Sequence, residues 1–353
     1  MALSDTSIHS GPPAEWAPHN AIWTAWPTNA VEWDGRHEAA AAEIAAMIRA
    51  LAAPGPDGRA GDRVRVLVQG EGIAAPQAAV GDIAELVEAS YGDVWLRDTG
   101  PIFIDHAHAA GFRWNGWGGK YQIPNDEKVA AFIAQLTGTQ LTAHDFVLEG
   151  GAIDGDGQGN WLTTRQCLLN PNRNPHWGGQ ADAEAALSNA LGARQVIWLG
   201  DGLANDHTDG HVDNIARFVA PGVALCQSPH GEDDPNRAVL DEIHRTLSAA
   251  KTAEGAPLKV LTIPSPGRIK DEDGKAVPAS HMNFIIGNAS LVLPVYGPAD
   301  SPNIKEAVEV LSAIYPNRRI VPLPATNILT GGGSFHCITQ QQPAAPETGA
   351  ASS

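Results

Sequence analysis

Hydrophobic positions along the chain follow two different periods. Val64, Val66 and Val68 alternate as in a strand, whereas Ile44, Met47, Ile48 and Leu51 recur at three- and four-residue spacing, the signature of one helical face. Asp34 can cap that helix and Pro54-Gly55 ends it. A second Ala/Ile/Leu-rich helix is predicted over roughly 74–89. From there strand pairs followed by a helix repeat. Strands are predicted at 93–97, 101–105, 110–114, 146–149, 161–169, 195–199, 211–219, 223–228, 258–263, 283–287, 290–296 and 318–323, and helices at 125–137, 180–191, 235–249 and 303–314. Asp154-Gly155-Asp156-Gly157, Pro221-Gly222 and Gly287-Asn288 mark hairpin turns. Trp16, Trp23, Trp26 and Trp33 precede all this, and so much aromatic surface is expected to pack on the body. No low-complexity linker interrupts the pattern. The reading is α/β, with one continuous domain over 1–342 and a Pro/Ala/Ser/Gly tail over 343–353 predicted to be disordered.

Composition narrows the function. A net charge of -17 argues against nucleic acid, whose phosphates call for a basic surface. No apolar run reaches the roughly 18–20 residues of a membrane span, and Met1 to Ser10 show no signal-peptide pattern. Cys167, Cys226 and Cys337 make no disulfide framework, so a reduced cytoplasmic setting is expected. The oligomeric state is open, and a homo-oligomer is allowed.

Four segments could carry chemistry. In Gly331-Gly332-Gly333-Ser334-Phe335-His336-Cys337, three glycines allow a sharp bend that presents a thiol to a pocket, where its thiolate would be a strong nucleophile. Cys167 and Cys226, inside apolar strand patterns, represent the alternative of a buried structural cysteine. In Asp209-Gly210-His211-Val212-Asp213-Asn214, a strand starting at His211 would place His211 and Asp213 on one face, pairing a proton shuttle with an anion. A metal site from His207, His211 and Asp213 is the rival. Histidines four apart share a face only on a helix, which Gly210 and its acidic neighbours disfavour, so no metal is expected. Trp95-Leu96-Arg97-Asp98-Thr99-Gly100-Pro101 offers a structural ion pair or an Asp98 that projects into a cleft. Glu149 ends an apolar run before Gly150-Gly151. The turn from Asp154 to Gly159 lacks the acids of a calcium loop. One thiol, one histidine and three carboxylates suit a guanidinium: two carboxylates orient it, the thiolate attacks, and the histidine moves protons.

The same segments resemble those of the agmatine deiminases, in the wider group of Porphyromonas-type peptidylarginine deiminases and guanidine-modifying enzymes. The likeness runs from Pro13-Ala14-Glu15-Trp16 to Gln342. It is most specific in the Trp95–Pro101 stretch, Leu148-Glu149-Gly150-Gly151, Leu162-Thr163-Thr164, Leu169–Pro175, Asp209–Asn214 and Gly331–Gln342. It implies a five-bladed, pseudo-fivefold α/β propeller of ββαβ units with a central active site, for which the pattern above has one helix too many. It also implies Cys337 as nucleophile, His211 as acid/base, Asp98 and Asp213 gripping the guanidinium, Glu149 partnering His211, and Trp95 along the substrate's alkyl chain. No cofactor is implied. The chain departs from the family at Ser334-Phe335, where Asn-Ile is typical, and at His207-Thr208-Asp209, where Asp-Thr-Asn is frequent.

The expected function is hydrolysis of agmatine to N-carbamoylputrescine and ammonia through a covalent thiouronium, a step toward putrescine. Its partner would be a small cationic guanidine. The alternatives are deimination of arginine, peptidyl arginine or another guanidino compound, amidino transfer, and non-catalytic binding of amines.

Overall fold

The computed structural model describes residues 11–28 and 33–346. Its strands form five separate sheets, and each sheet contains one antiparallel and at least one parallel neighbour. Parallel neighbours need a crossover, and helices supply it. The first sheet holds β1 (His19–Ala25), β2 (Val64–Val68) and β3 (Glu85–Glu88). The helix His37–Ala52 crosses from β1 to β2. The next three strands, β4 (Ile102–Phe103), β5 (His108–Arg113) and β6 (Gln140–Val147), enclose the helix Val129–Thr137. Then β7 (Ile153–Gly155), β8 (Asn160–Thr164) and β9 (Gln195–Leu199) do the same around Gln180–Leu191. β10 (Ala216–Ala220), β11 (Val223–Ser228) and β12 (Lys259–Pro264) enclose Arg237–Ala249. β13 (Ile285–Ile286), β14 (Ser290–Val295) and β15 (Arg319–Pro324) enclose Pro302–Ile314. Finally β16 (Gln340–Pro343) returns to pair antiparallel with β1, so the two ends of the chain complete one sheet.

Spacing explains the helices. Leu240, Ile243 and Leu247 are buried on one face, as are Ala183, Leu187 and Leu191, and Ile304, Ala307 and Leu311. β14 is buried at all six positions, which explains its unbroken Ser-Leu-Val-Leu-Pro-Val run. Trp23, Trp26 and Trp33 are buried in the largest core cluster.

Several expectations need correction. The helix predicted over 74–89 stops at Val80, and residues 85–88 pair parallel with β2 instead. Gly81 follows the helix, and the short run Glu85-Leu86-Val87-Glu88 beyond it is taken up by the sheet edge. Residues 93–97 form no strand: Leu96–Thr99 is a helical turn whose Arg97 N–H donates to Cys337 O at 3.1 Å. Predicted strand 161–169 ends at Thr164, where the Thr164 side chain caps the turn Arg165–Leu168. Strand 211–219 begins only at Ala216, after a tight turn at Val212–Asn214. Pro343, assigned to the tail, belongs to β16 and pairs with His19. Residues 347–353 of that tail lie outside the described residues.

Candidate active site

Cys337 follows the bend that the glycines permit. Gly332 has φ +112°, and a methyl group on Gly333 would lie 2.7 Å from Trp95 and 2.9 Å from Cys337 Cβ. Bulk at Gly333 would therefore push the indole and the thiol apart. Asn283 locks the segment, its Oδ1 accepting from His336 N and Cys337 N at 3.0 and 3.2 Å. The same amide donates to Cys337 Sγ at 3.1 Å.

The other chemistry-bearing residues converge from separate turns. A methyl group at Gly151 would sit 2.6 Å from His211 Nδ1, 3.0 Å from Asp213 Oδ2 and 3.1 Å from Asp98 Oδ1. Three functional groups thus crowd one point, and only a glycine fits there. Asp98 is held from two sides, by Gly151 N–H on Oδ1 and Trp117 Nε1–H on Oδ2, both at 2.9 Å. His211 Nδ1 stands 3.9 Å from Asp98 Oδ2. Asp213 Oδ2 lies 3.6 Å from Cys337 Sγ. His211 and Asp213 do come together as the sequence suggests, although a turn rather than a strand brings them there.

Cys337, Asp98 and Trp95 face a cavity of about 280 Å³ that is also lined by Asp34, Asp93, Trp117, Tyr121, Ile123, His207 and Thr208. No lysine or arginine lines it among the described residues. Asp206 and Asp209, acids next to the histidine in sequence, are not among the residues that line the cavity. Asp209 pairs with Lys120 and Arg173 at 2.6 Å each, and Asp206 accepts from the Thr208 backbone and hydroxyl. His207 stays at the rim, hydrogen-bonded to the Tyr121 hydroxyl at 2.8 Å.

Glu149 is placed differently from the simple pairing expected of it. Its Oε1 accepts from Arg173 Nε at 2.6 Å, not from a His211 ring nitrogen. A donor atom of Glu149 nevertheless lies within 4.8 Å of donors on His211 and Cys167. Cys167, expected in a strand as plain core, sits against the histidine. All three are buried. The Arg173 guanidinium on Glu149 and a thiol whose pKa is raised by burial make this set poor for a cation.

Electrostatics set the resting state. Burial, then Asp213 and Asp98, push the Cys337 pKa well above the ordinary value, so it rests as a thiol. Burial works against charge on His211, yet Asp98, Cys167 and Glu149 raise its pKa well above 6.5. Burial raises the pKa of Asp98, His211 opposes the rise and Asp213 adds to it. For Asp213 burial is outweighed by the hydrogen bond and charge of His336, which bring its pKa below 3.8.

Sequence reasoning missed Asn283, Trp117, Glu15 and Arg217. The only hint of Asn283 was an amide between Met282 and Phe284 in an apolar stretch, and of Trp117 its run of neighbouring glycines.

Fold and site together define a cysteine-centred hydrolase of amidine carbon–nitrogen bonds. The family model of the Porphyromonas-type peptidyl-arginine deiminases matches residues 12–343, and the chain belongs to that family. It is 37% identical over 360 residues to the agmatine deiminase of Stutzerimonas stutzeri, covering 94% of this chain and 95% of the relative. The agmatine deiminase of Enterococcus faecalis superposes with a TM-score of 0.86 at 28% identity, covering 97% of this chain and 98% of the other. An agmatine deiminase of C. jejuni solved with substrate bound gives 0.83 at 25% identity, over 95% and 96% of the two chains.

Proposed function

We propose that this chain hydrolyses agmatine to N-carbamoylputrescine and ammonia, contributing to putrescine formation. The carrying observation is a buried thiol flanked by Asp98 and Asp213, reached through a cavity with no lining lysine or arginine among the described residues. In this reading the five sheets are blades around one axis within a single domain that runs through β16, and the site lies where their turns meet.

A guanidinium entering between Asp98 and Asp213 neutralises the two charges that hold the Cys337 proton in place. The thiol then releases its proton to solvent, and its sulfur attacks the central guanidinium carbon. His211, already protonated, gives a proton to the departing nitrogen, and ammonia leaves a cationic thiouronium on Cys337. The neutral imidazole next takes a proton from water as the water attacks that carbon. The carbon–sulfur bond breaks as the remaining hydroxyl proton passes to the leaving sulfur, which restores the thiol, and the ureido product departs. Glu149 favours the charged histidine, and Trp95 borders the alkyl chain.

Arginine differs from agmatine by an α-carboxylate, whose capture normally calls for a cation at the mouth. With Asp34 at the lining and no lysine or arginine there, agmatine is expected to exceed arginine by at least about a hundredfold in kcat/KM, roughly 2.7 kcal/mol. A panel of guanidines assayed for ammonia and ureido product tests this. Comparable arginine turnover would refute the substrate assignment, and ammonia release that requires an amine acceptor would indicate amidino transfer. Cys337→Ser should fold normally and lose several orders of magnitude in turnover. Full activity in that variant would remove the mechanism.

A further inference from the structure

Beneath Asp213 a row of alternating charges leads away from the cavity. Asp154 Oδ2 accepts from Arg217 Nε at 2.5 Å, and Arg217 Nη2 donates to Glu15 Oε2. The same Glu15 oxygen meets His336 Nε2 at 2.9 Å, and His336 Nδ1 meets Asp213 Oδ2 at 2.8 Å. Every side chain in the row is at least nine-tenths buried. Both His336 nitrogens face carboxylate oxygens, so the ring bridges Glu15 and Asp213 and ties the position of one to the other. Glu15 is fixed further by Ile286 N–H on its Oε1 at 2.7 Å, and Arg217 by donation to Phe284 O at 3.0 Å.

The row ends on an atom with a task. With Oδ2 of Asp213 held by His336, Oδ1 is buried without a partner among the described residues. Asp213 also lies 3.6 Å from the Cys337 sulfur, with Asp98, His211, Arg97 and Arg217 as further charged neighbours. A carboxylate so buried, beside a thiol and another acid, keeps its charge only if a cation sits against it.

Building on the guanidinium-hydrolase reading, we propose that Glu15 and His336 are positioning residues for Asp213. They hold it ionised and orient Oδ1 toward the substrate cation, so a residue ahead of β1 sets recognition at the centre. Neutralising Glu15 removes the anion that fixes His336 from its far side and loosens the ring's contact with Asp213. Asp213 then loses part of what keeps it ionised and in place, and grips a guanidinium less well.

The test uses Cys337 alkylation in the full-length protein, followed by mass spectrometry, and needs no turnover. A cationic haloacetamidine is compared with a neutral haloacetamide, so the rate ratio reports the anionic grip around the thiol. Glu15→Gln should lower that ratio at least tenfold and add nothing further in an Asp213→Asn background. A ratio unchanged by Glu15→Gln, or lowered equally in both backgrounds, overturns the proposal in favour of a purely structural ion pair. If Glu15→Gln does not fold, judged by circular dichroism, His336→Gln makes the same test from the middle of the row with the same two outcomes. Failure of the wild-type protein to release ammonia from agmatine would refute the substrate assignment and leave this ratio, and its reading, intact.

Discussion

Two aspartates and a thiol face the same small volume, and their charges compete until a cation arrives. Exchanging Asp98 or Asp213 for Asn keeps shape and removes one charge-assisted contact of about 1.5–3 kcal/mol, so kcat/KM should fall at least tenfold. Equal kinetics in either variant would exclude that residue from substrate contact. The raised Cys337 pKa makes a second forecast. In the free protein, alkylation by neutral iodoacetamide should be slow at neutral pH and still rising above pH 9. A plateau below pH 8 would mean a thiolate at rest and contradict the assignment. Trp117 shows what the site demands of its surroundings. It holds a left-handed φ of 52°, which costs a non-glycine residue roughly 1–2 kcal/mol, while its indole donates to Asp98. Trp117→Phe keeps the ring and deletes the donor. Agmatine KM should rise several-fold with little change in thermal stability, and an unchanged KM would deny the indole N–H any role.

At the level of elements, the turns that carry the site are secured by neighbours remote in sequence. Glu43, midway along the helix His37–Ala52, accepts from Asn327 N, Ile328 N and Asn327 Nδ2. It thereby caps the short helix Thr326–Thr330 that leads into the glycine bend before Cys337. Glu43→Ala should cost about 1–3 kcal/mol in urea unfolding, within the range for a lost cap and orphaned donors, and reduce kcat more than the Cys226→Ala change does. A loss below about 0.5 kcal/mol would show the contact to be idle. The same remoteness decides what could be read from the sequence. Helices such as Gln180–Leu191 were legible because their faces are written locally at three- and four-residue spacing. Cys337, His211, Asp98 and Glu149 were legible because each adjoins a glycine turn. The helical turn at Leu96–Thr99 was not, since Val94-Trp95-Leu96 looks like a strand, whereas Thr99 N and Gly100 N turn back to Trp95 O and Leu96 O and Arg97 N is taken by the remote Cys337 O. Glu15 was visible only as part of an aromatic segment, because its partner His336 is 321 residues away.

For the molecule as a whole, burial of polar groups around the centre couples stability to pH. His281 is fully buried, and its Nδ1–H donates to Pro264 O at 2.8 Å while Nε2 has no partner. Burial pushes its pKa down to about 4, against an ordinary 6.5. Between those values the unfolded chain binds more protons than the folded one, so stability rises with pH across the window and is lost as pH falls through it. At roughly 1.4 kcal/mol per pKa unit, this group alone removes about 3 kcal/mol between pH 7 and pH 4. Asp126 acts in the opposite sense. Burial raises its pKa to about 7, so the folded state holds the extra proton, and stability falls as pH rises from 3.8 to 7. Because the two oppose each other, the wild-type curve underreports both, and single substitutions separate them. In urea unfolding, His281→Gln should lose less stability than wild type on going from pH 7 to pH 4. Asp126→Asn should lose more over the same interval, since it lacks the group that protonation favours. If both variants tracked the wild-type curve, these buried groups would not be the source of the pH dependence, and the carboxylates around Arg217 and His336 would be next in line.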